Sequence, residues 1–178
     1  MATRFRLPAL EALATQYGSA FARDARPLTE AERADAVEVF ADALDLEPIR
    51  IVSASIVNSP ATLGNVIRAP QHGEIDRVTL IHELAHVWQY QTRGTAYISD
   101  SVWHQVSATL TTGSRHAAYV LTWEDLAAGS IDDLPAEKQA VVIELWFAQP
   151  ELRQHPDYAR FLAQVRAPRK LRNEIRLR

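Results

Sequence analysis

His82-Glu83-Leu84-Ala85-His86 reads H-E-x-x-H, and the residues on either side of it decide what the pattern means. On a helix, positions four apart lie on one face, one turn above each other. His82 and His86 can therefore offer two imidazoles to one metal ion, and Glu83 projects to the side, where it could take a proton from water at that ion. The flanks are apolar: Val78, Thr79, Leu80 and Ile81 precede the motif, and Val87 and Trp88 follow it. Between Val78 and Val87, Glu83 is the sole charged residue. A surface helix would carry Lys or Glu at several of these positions, so the pattern predicts a helix buried on nearly all sides.

The ends of that helix are legible too. Gly73 is followed by Glu74 and Asp76, acidic residues suited to the positive end of a helix dipole. Arg93-Gly94 supplies a basic last turn and a terminating glycine. The expectation is one helix over 74–92. Two histidines and a glutamate buried in an apolar helix each need a partner, because an unpaired buried polar group costs roughly 1–3 kcal/mol. A metal ion would satisfy all three.

Composition bounds the chemistry. The chain has 178 residues, 47% of them hydrophobic, which suits one soluble globular domain with a substantial core. The formal net charge of -3 gives no footprint for nucleic acid. No stretch approaches the ~18 apolar residues of a membrane helix. The first ten residues hold Arg4 and Arg6 but no apolar run of the secretory kind, so a cytoplasmic location is expected. There are no cysteines. Any zinc site must then use His and Asp or Glu, a donor set typical of catalytic rather than structural zinc.

Along the chain, residues 1–47 read as N-terminal helices. Leu10, Leu13, Tyr17 and Phe21 mark one over 9–23; Thr29 with Glu32 forms a capping box that opens a second, ending near Leu46. Residues 48–94 read as strands followed by the histidine helix. Ile49 to Val52 and Ser55 to Val57 are β-branched and short, and Thr62 to Ile67 reads as a further strand, with Gly64 marking a bulge or a close backbone approach. Residues 95–165 read as a C-terminal helical part. Within it, Asp132 or Asp133 and Pro135 open a helix to about Gln149, and a last short helix covers 151–165. Residues 166–178 form an arginine-rich tail, read as solvated.

Two histidines do not complete a catalytic zinc site, which usually has three protein ligands and an open position. The close third histidine of H-E-x-x-H-x-x-G-x-x-H is absent: Gln89 and Thr92 stand where that pattern needs other residues. The third ligand is expected on the helix beginning near Asp133, which carries Glu137 and Glu144. Glu137-Lys138-Gln139-Ala140 resembles the E-x-x-A segment that supplies the zinc glutamate of gluzincins. Glu144, inside the apolar run Val141 to Phe147, is its rival, or else a hydrogen-bond partner for a ligand histidine. His104, His116 and Glu124 are weaker alternatives as ligands. Tyr119 lies between the two helices in sequence and reads either as a core tyrosine or as an oxyanion-stabilising phenol.

The stretch from Ile49 to Gln91 resembles a short gluzincin-type domain associated with bacterial contractile injection (phage-tail-like) systems. The residues that carry the likeness are Ile49-Arg50-Ile51, then Ala61 to Ile67, then Leu80 to Gln89. The resemblance implies an α+β, zincin-like (minigluzincin) fold, a small mixed sheet on a buried zinc-binding helix. It implies Zn2+ on His82 and His86 and Glu83 as general base. It also implies that Thr62, Leu63, Gly64 and Asn65 belong to an edge along which a peptide pairs. The expected activity is zinc-dependent peptide hydrolysis, with Glu83 activating water, Glu137 as third ligand and Tyr119 assisting. The alternative is a catalytically silent or self-inhibited zincin-fold protein that serves as an adaptor in a secretion apparatus. Such an apparatus would be its partner and its route of export.

Overall fold

The computed structural model describes residues 25–53, 60–69, 74–94 and 120–167. The first element among the described residues is a two-residue strand, β1 (Ala25–Arg26), absent from the sequence reading. Arg26 makes a two-pronged bond to Glu32 at 2.7 and 2.8 Å. Glu32 in turn closes the capping box with Thr29 that opens α1 (Glu30–Phe40). The helix stops six residues short of the expected Leu46. Ala41, with φ of 48°, is its C-cap, and Ala41–Ala43 tighten into a 3-10 turn.

The sheet has β2 (Arg50–Ser53), β3 (Ala61–Leu63) and β4 (Val66–Ala69), in the order β1-β2-β4-β3. β1 runs antiparallel to β2, β2 parallel to β4, and β3 antiparallel to β4. The sheet is therefore mixed, as expected. The expected single strand over Thr62 to Ile67 is corrected. Gly64, at φ of 65°, and Asn65 form a two-residue turn that folds β3 back on β4 and pairs Thr62 with Ile67. A glycine at that first central position adopts positive φ without a Cβ penalty, which tight hairpins require. The residues expected to form one sheet edge are thus divided: among the described residues β3 is an outer strand, and β4 is paired on both sides.

Beneath the sheet lies α2 (Arg77–Arg93), the histidine helix. Asp76 caps it by accepting from Val78 N and Thr79 N, so the helix begins at Arg77 rather than near the expected Glu74, and Gly94, at φ of 71°, ends it as the sequence indicates. From Leu80 to Gln89 every residue is buried except His82, which is nearly so. The apolar flanks of the motif are buried because α2 is enclosed by β3 and β4 on one side and by helices on the others. Its N-terminus is tied to α1 by Arg77, whose guanidinium donates to both oxygens of Asp35 at 2.6 and 2.7 Å.

The C-terminal part comprises α3 (Trp123–Ala127), a 3-10 turn at Ile131–Asp133, α4 (Ala136–Ala148), a 3-10 turn at Pro150–Gln154 and α5 (Pro156–Arg166). α3 was not read from the sequence, although Thr122 and Asp125 form its capping box. Pro135 is the N-cap of α4 rather than part of its first turn. Arg166, expected to begin a solvated tail, instead donates to Glu38 O and Val39 O at the end of α1. The core is shared by α1, the sheet, α2, α4 and α5. Phe40, Ile51, Ile67, Leu84, Trp88, Ile143 and Phe161 are all essentially buried in it. The expected N-terminal helix over 9–23, the strand at 55–57 and the tail beyond 167 lie outside the described residues. No helix among the described residues is long and apolar enough to cross a membrane.

Candidate metal centre

α2 packs most extensively on α4. The pairings across that contact show two antiparallel helices: His82 meets Glu144, while Gln89, two turns further on, meets Ala136. Between these levels the side chains of His82, His86 and Glu137 converge. Glu137 Oε2 lies 3.4 Å from His82 Nε2 and 3.3 Å from His86 Nε2. The two imidazoles stand edge to face with centroids 5.0 Å apart. The Glu137 side chain is only 3% exposed, so its charge has to be met inside the protein.

These distances test whether a metal fits. The separations are longer than a good N–H···O bond of about 2.7–3.2 Å. Two ligand atoms each ~2.0–2.1 Å from a tetrahedral zinc would stand roughly 3.3–3.4 Å apart, which matches. The second nitrogens of both rings are already engaged. His82 Nδ1 lies 2.8 Å from Glu144 Oε2, and His86 Nδ1 lies 2.9 Å from Gln89 Oε1. An imidazole whose Nδ1–H is donated to a carboxylate or amide oxygen presents the Nε2 lone pair, the arrangement found around metal histidines. Two neutral imidazoles, one carboxylate and no sulfur make a donor set that fits the ion expected from the sequence. Glu137 and Glu144 thus take different positions: Glu137 joins His82 and His86 in a group that could hold a metal ion, and Glu144 bonds His82 Nδ1.

Charge supports the same picture. Burial lowers the pKa of His82, but the nearby carboxylates of Glu137, Glu144 and Glu83 outweigh it. The imidazole is held up at about 9. The surroundings of His82 are built for positive charge, whether a proton or a metal ion brings it.

Glu83 meets the sheet at β3, and its charge lies close enough to His82 to raise the pKa of that ring. Glu83 is buried, and Thr62 Oγ1 on β3 donates to its Oε2 at 2.6 Å. The remaining residues of the expected substrate edge are spread along the hairpin. Leu63 ends β3, Gly64 forms the turn, and Asn65 Oδ1 accepts from Gln91 Nε2 near the end of α2. Glu124 is exposed on α3 and does not join the group of His82, His86 and Glu137. Tyr119, His104 and His116 lie outside the described residues. The sequence reading missed Gln89 and Gln139 as parts of the site. Both are fully buried, and a glutamine buried in an apolar helix was the available signal. Compared with protein-family models, curated proteins and solved structures, the chain shows no match in any of the three.

Proposed function

We propose that this protein is a zinc-dependent peptidase of the gluzincin type. The observation that carries the reading is the convergence of His82 Nε2, His86 Nε2 and Glu137 Oε2, with Glu83 one residue from the first ligand. His82, His86 and Glu137 would hold the ion, leaving one position open. A zinc ion bound there supplies Lewis acidity, acidifying water and polarising a carbonyl. The same two-histidine, one-carboxylate set also suits non-haem iron, but a carboxylate base beside it favours hydrolysis.

Glu83 accepts the proton of the attacking water and returns it to the leaving amine. Thr62 holds the Glu83 carboxylate from the sheet side. Glu144 and Gln89 hold the two rings by their Nδ1 atoms. Among the described residues β3 is an outer strand of the sheet, and it offers backbone groups to which an extended peptide can add as a further strand. This reading gives Thr62 and Leu63 a role at the substrate as well.

The test is digestion of a broad peptide library by the zinc-loaded protein, read by mass spectrometry. Cleavage is expected, and Glu83→Gln should keep stoichiometric zinc while losing about 10²–10⁴ in rate. Unchanged cleavage by that variant would remove Glu83 from the mechanism. A zinc-loaded wild type that cuts nothing in the library would contradict the peptidase reading and favour an adaptor with a metal-stabilised fold.

A further inference from the structure

The hydrogen bonds behind His86 run in one forced direction. Gln139 Nε2 donates to Leu134 O at 2.7 Å, and Gln89 Nε2 donates to Ala136 O at 2.8 Å. A backbone carbonyl only accepts, so each bond fixes which end of the glutamine amide is which. Gln139 Oε1 is thereby turned toward Gln89 Nε2, 3.2 Å away, and adds a second acceptor for the same donor group. Gln89 Oε1 is turned toward His86 Nδ1 at 2.9 Å. An amide oxygen has no proton to give, so His86 must donate from Nδ1 and keep the lone pair on Nε2. Both glutamines are fully buried, and water cannot readily substitute for either.

The two carbonyls that set this direction lie at the start of α4. Ala136 immediately precedes Glu137, and Leu134 lies three residues before it. One buried unit therefore contacts both the ring that offers Nε2 and the helical turn that offers Oε2.

We propose that Gln89, with Gln139 behind it, is a positioning relay: it fixes the tautomer of His86 and registers that ring against the turn of α4 that carries Glu137. The proposal rests on the metal reading of the site but not on the peptidase reading. The relay acts through His86 and Glu137 and touches neither substrate nor metal. It gives the site its geometry before an ion arrives, because its polarity is set by backbone carbonyls that do not titrate.

The experiment uses the full chain and cobalt(II) as the probe, with affinity measured by chelator competition and coordination followed by the visible absorption spectrum. Gln89→Met removes the acceptor for Nδ1–H and should weaken cobalt binding about 10- to 100-fold and alter the spectrum. Gln89→Glu keeps an oxygen acceptor for that proton but sets its second oxygen against Ala136 O and Gln139 Oε1, so it should lose less than Gln89→Met and recover only part of the affinity. Equal losses in both variants, or no loss in Gln89→Met, would overturn the relay. A measurement on the wild type stands independently of how the variants fold. In two-bond 1H–15N spectra of the metal-free chain, neutral His86 is expected as the Nδ1–H tautomer, and an Nε2–H tautomer would overturn the proposal. A wild type that binds no cobalt would sink the relay and the metal reading together. Tight cobalt binding with the predicted variant pattern, but no peptide cleavage, would leave the relay standing and remove the peptidase reading alone.

Discussion

Thr62 and Glu83 are joined across the sheet–helix boundary. The threonine hydroxyl on β3 donates to Glu83 Oε2 at 2.6 Å and also lies 3.3 Å from the Glu83 carbonyl oxygen. The carboxylate of the H-E-x-x-H motif is thus held from β3, an outer strand of the sheet among the described residues. A base held in one rotamer has less ordering to do at the moment of proton transfer.

The isosteric change Thr62→Val deletes this bond and little else. A hydrogen bond to a charged group is worth about 1.5–3 kcal/mol, so kcat on a cleaved peptide should fall about 10- to 100-fold. KM and zinc content should hold, and Thr62→Ser should restore the rate. A rise in KM with kcat unchanged would instead make Thr62 a residue of the substrate edge alone.

Glu137 and Glu144 should respond differently to substitution. Glu137→Gln removes a charged ligand and should abolish tight zinc binding. Glu144→Leu leaves His82 Nδ1 without its partner and should weaken zinc about 10- to 100-fold, while Glu144→Gln, which keeps an oxygen acceptor, should lose little. Zinc titration against a competing chelator reads all three. The reverse ranking of Glu137→Gln and Glu144→Gln would exchange the roles of the two glutamates.

Metal-free protein should be most stable toward neutral and mildly acidic pH and weaken in base. The imidazole of His82 is raised to about 9 in the fold, against 6.5 for an unperturbed histidine. Its contribution is therefore fully present below about pH 6.5 and is lost as pH rises through 9. Zinc occupies the same nitrogen and displaces the proton, so the loaded protein should not show that decline. Thermal melts between pH 6 and 10, with chelator and with zinc, check this; parallel profiles would contradict it.

Asp76 caps the helix that carries both histidines. Asp76→Ala should cost about 1 kcal/mol and lower Tm by roughly 2–4 °C in the metal-free chain. The ligand positions are not touched, so zinc stoichiometry should stay the same in a melt-and-metal assay.

The sequence made α2 legible because its signals are local: an uncharged flank, an acidic start and a glycine stop. Short β-branched runs before it gave the strands, while the α+β class with a mixed sheet came from the resemblance to a gluzincin-type domain. The β3–β4 hairpin was misread because Leu63, Val66 and Ile67 look like one apolar strand; the positive φ at Gly64 separates them, and a glycine alone does not distinguish a bulge from a turn. Likeness to the gluzincin segment favours Glu137 over Glu144, and geometry alone does not separate them. They are seven residues apart, about two helical turns, and so share the face that meets α2. Only the antiparallel packing of α2 on α4 brings one to both Nε2 atoms and the other to a single Nδ1. Gln89 was visible as a polar residue in an apolar helix, but besides His86 its side-chain partners are Ala136 and Gln139, beyond any local pattern.

A crystal structure of the zinc-loaded protein, with anomalous differences measured at the zinc edge, tests the metal site most directly. The predicted result is one peak per chain, bonded by His82 Nε2, His86 Nε2 and a Glu137 oxygen at ~2.0–2.2 Å, with Glu144 still on His82 Nδ1. A peak elsewhere, or one bonded by Glu144 in place of Glu137, would contradict it.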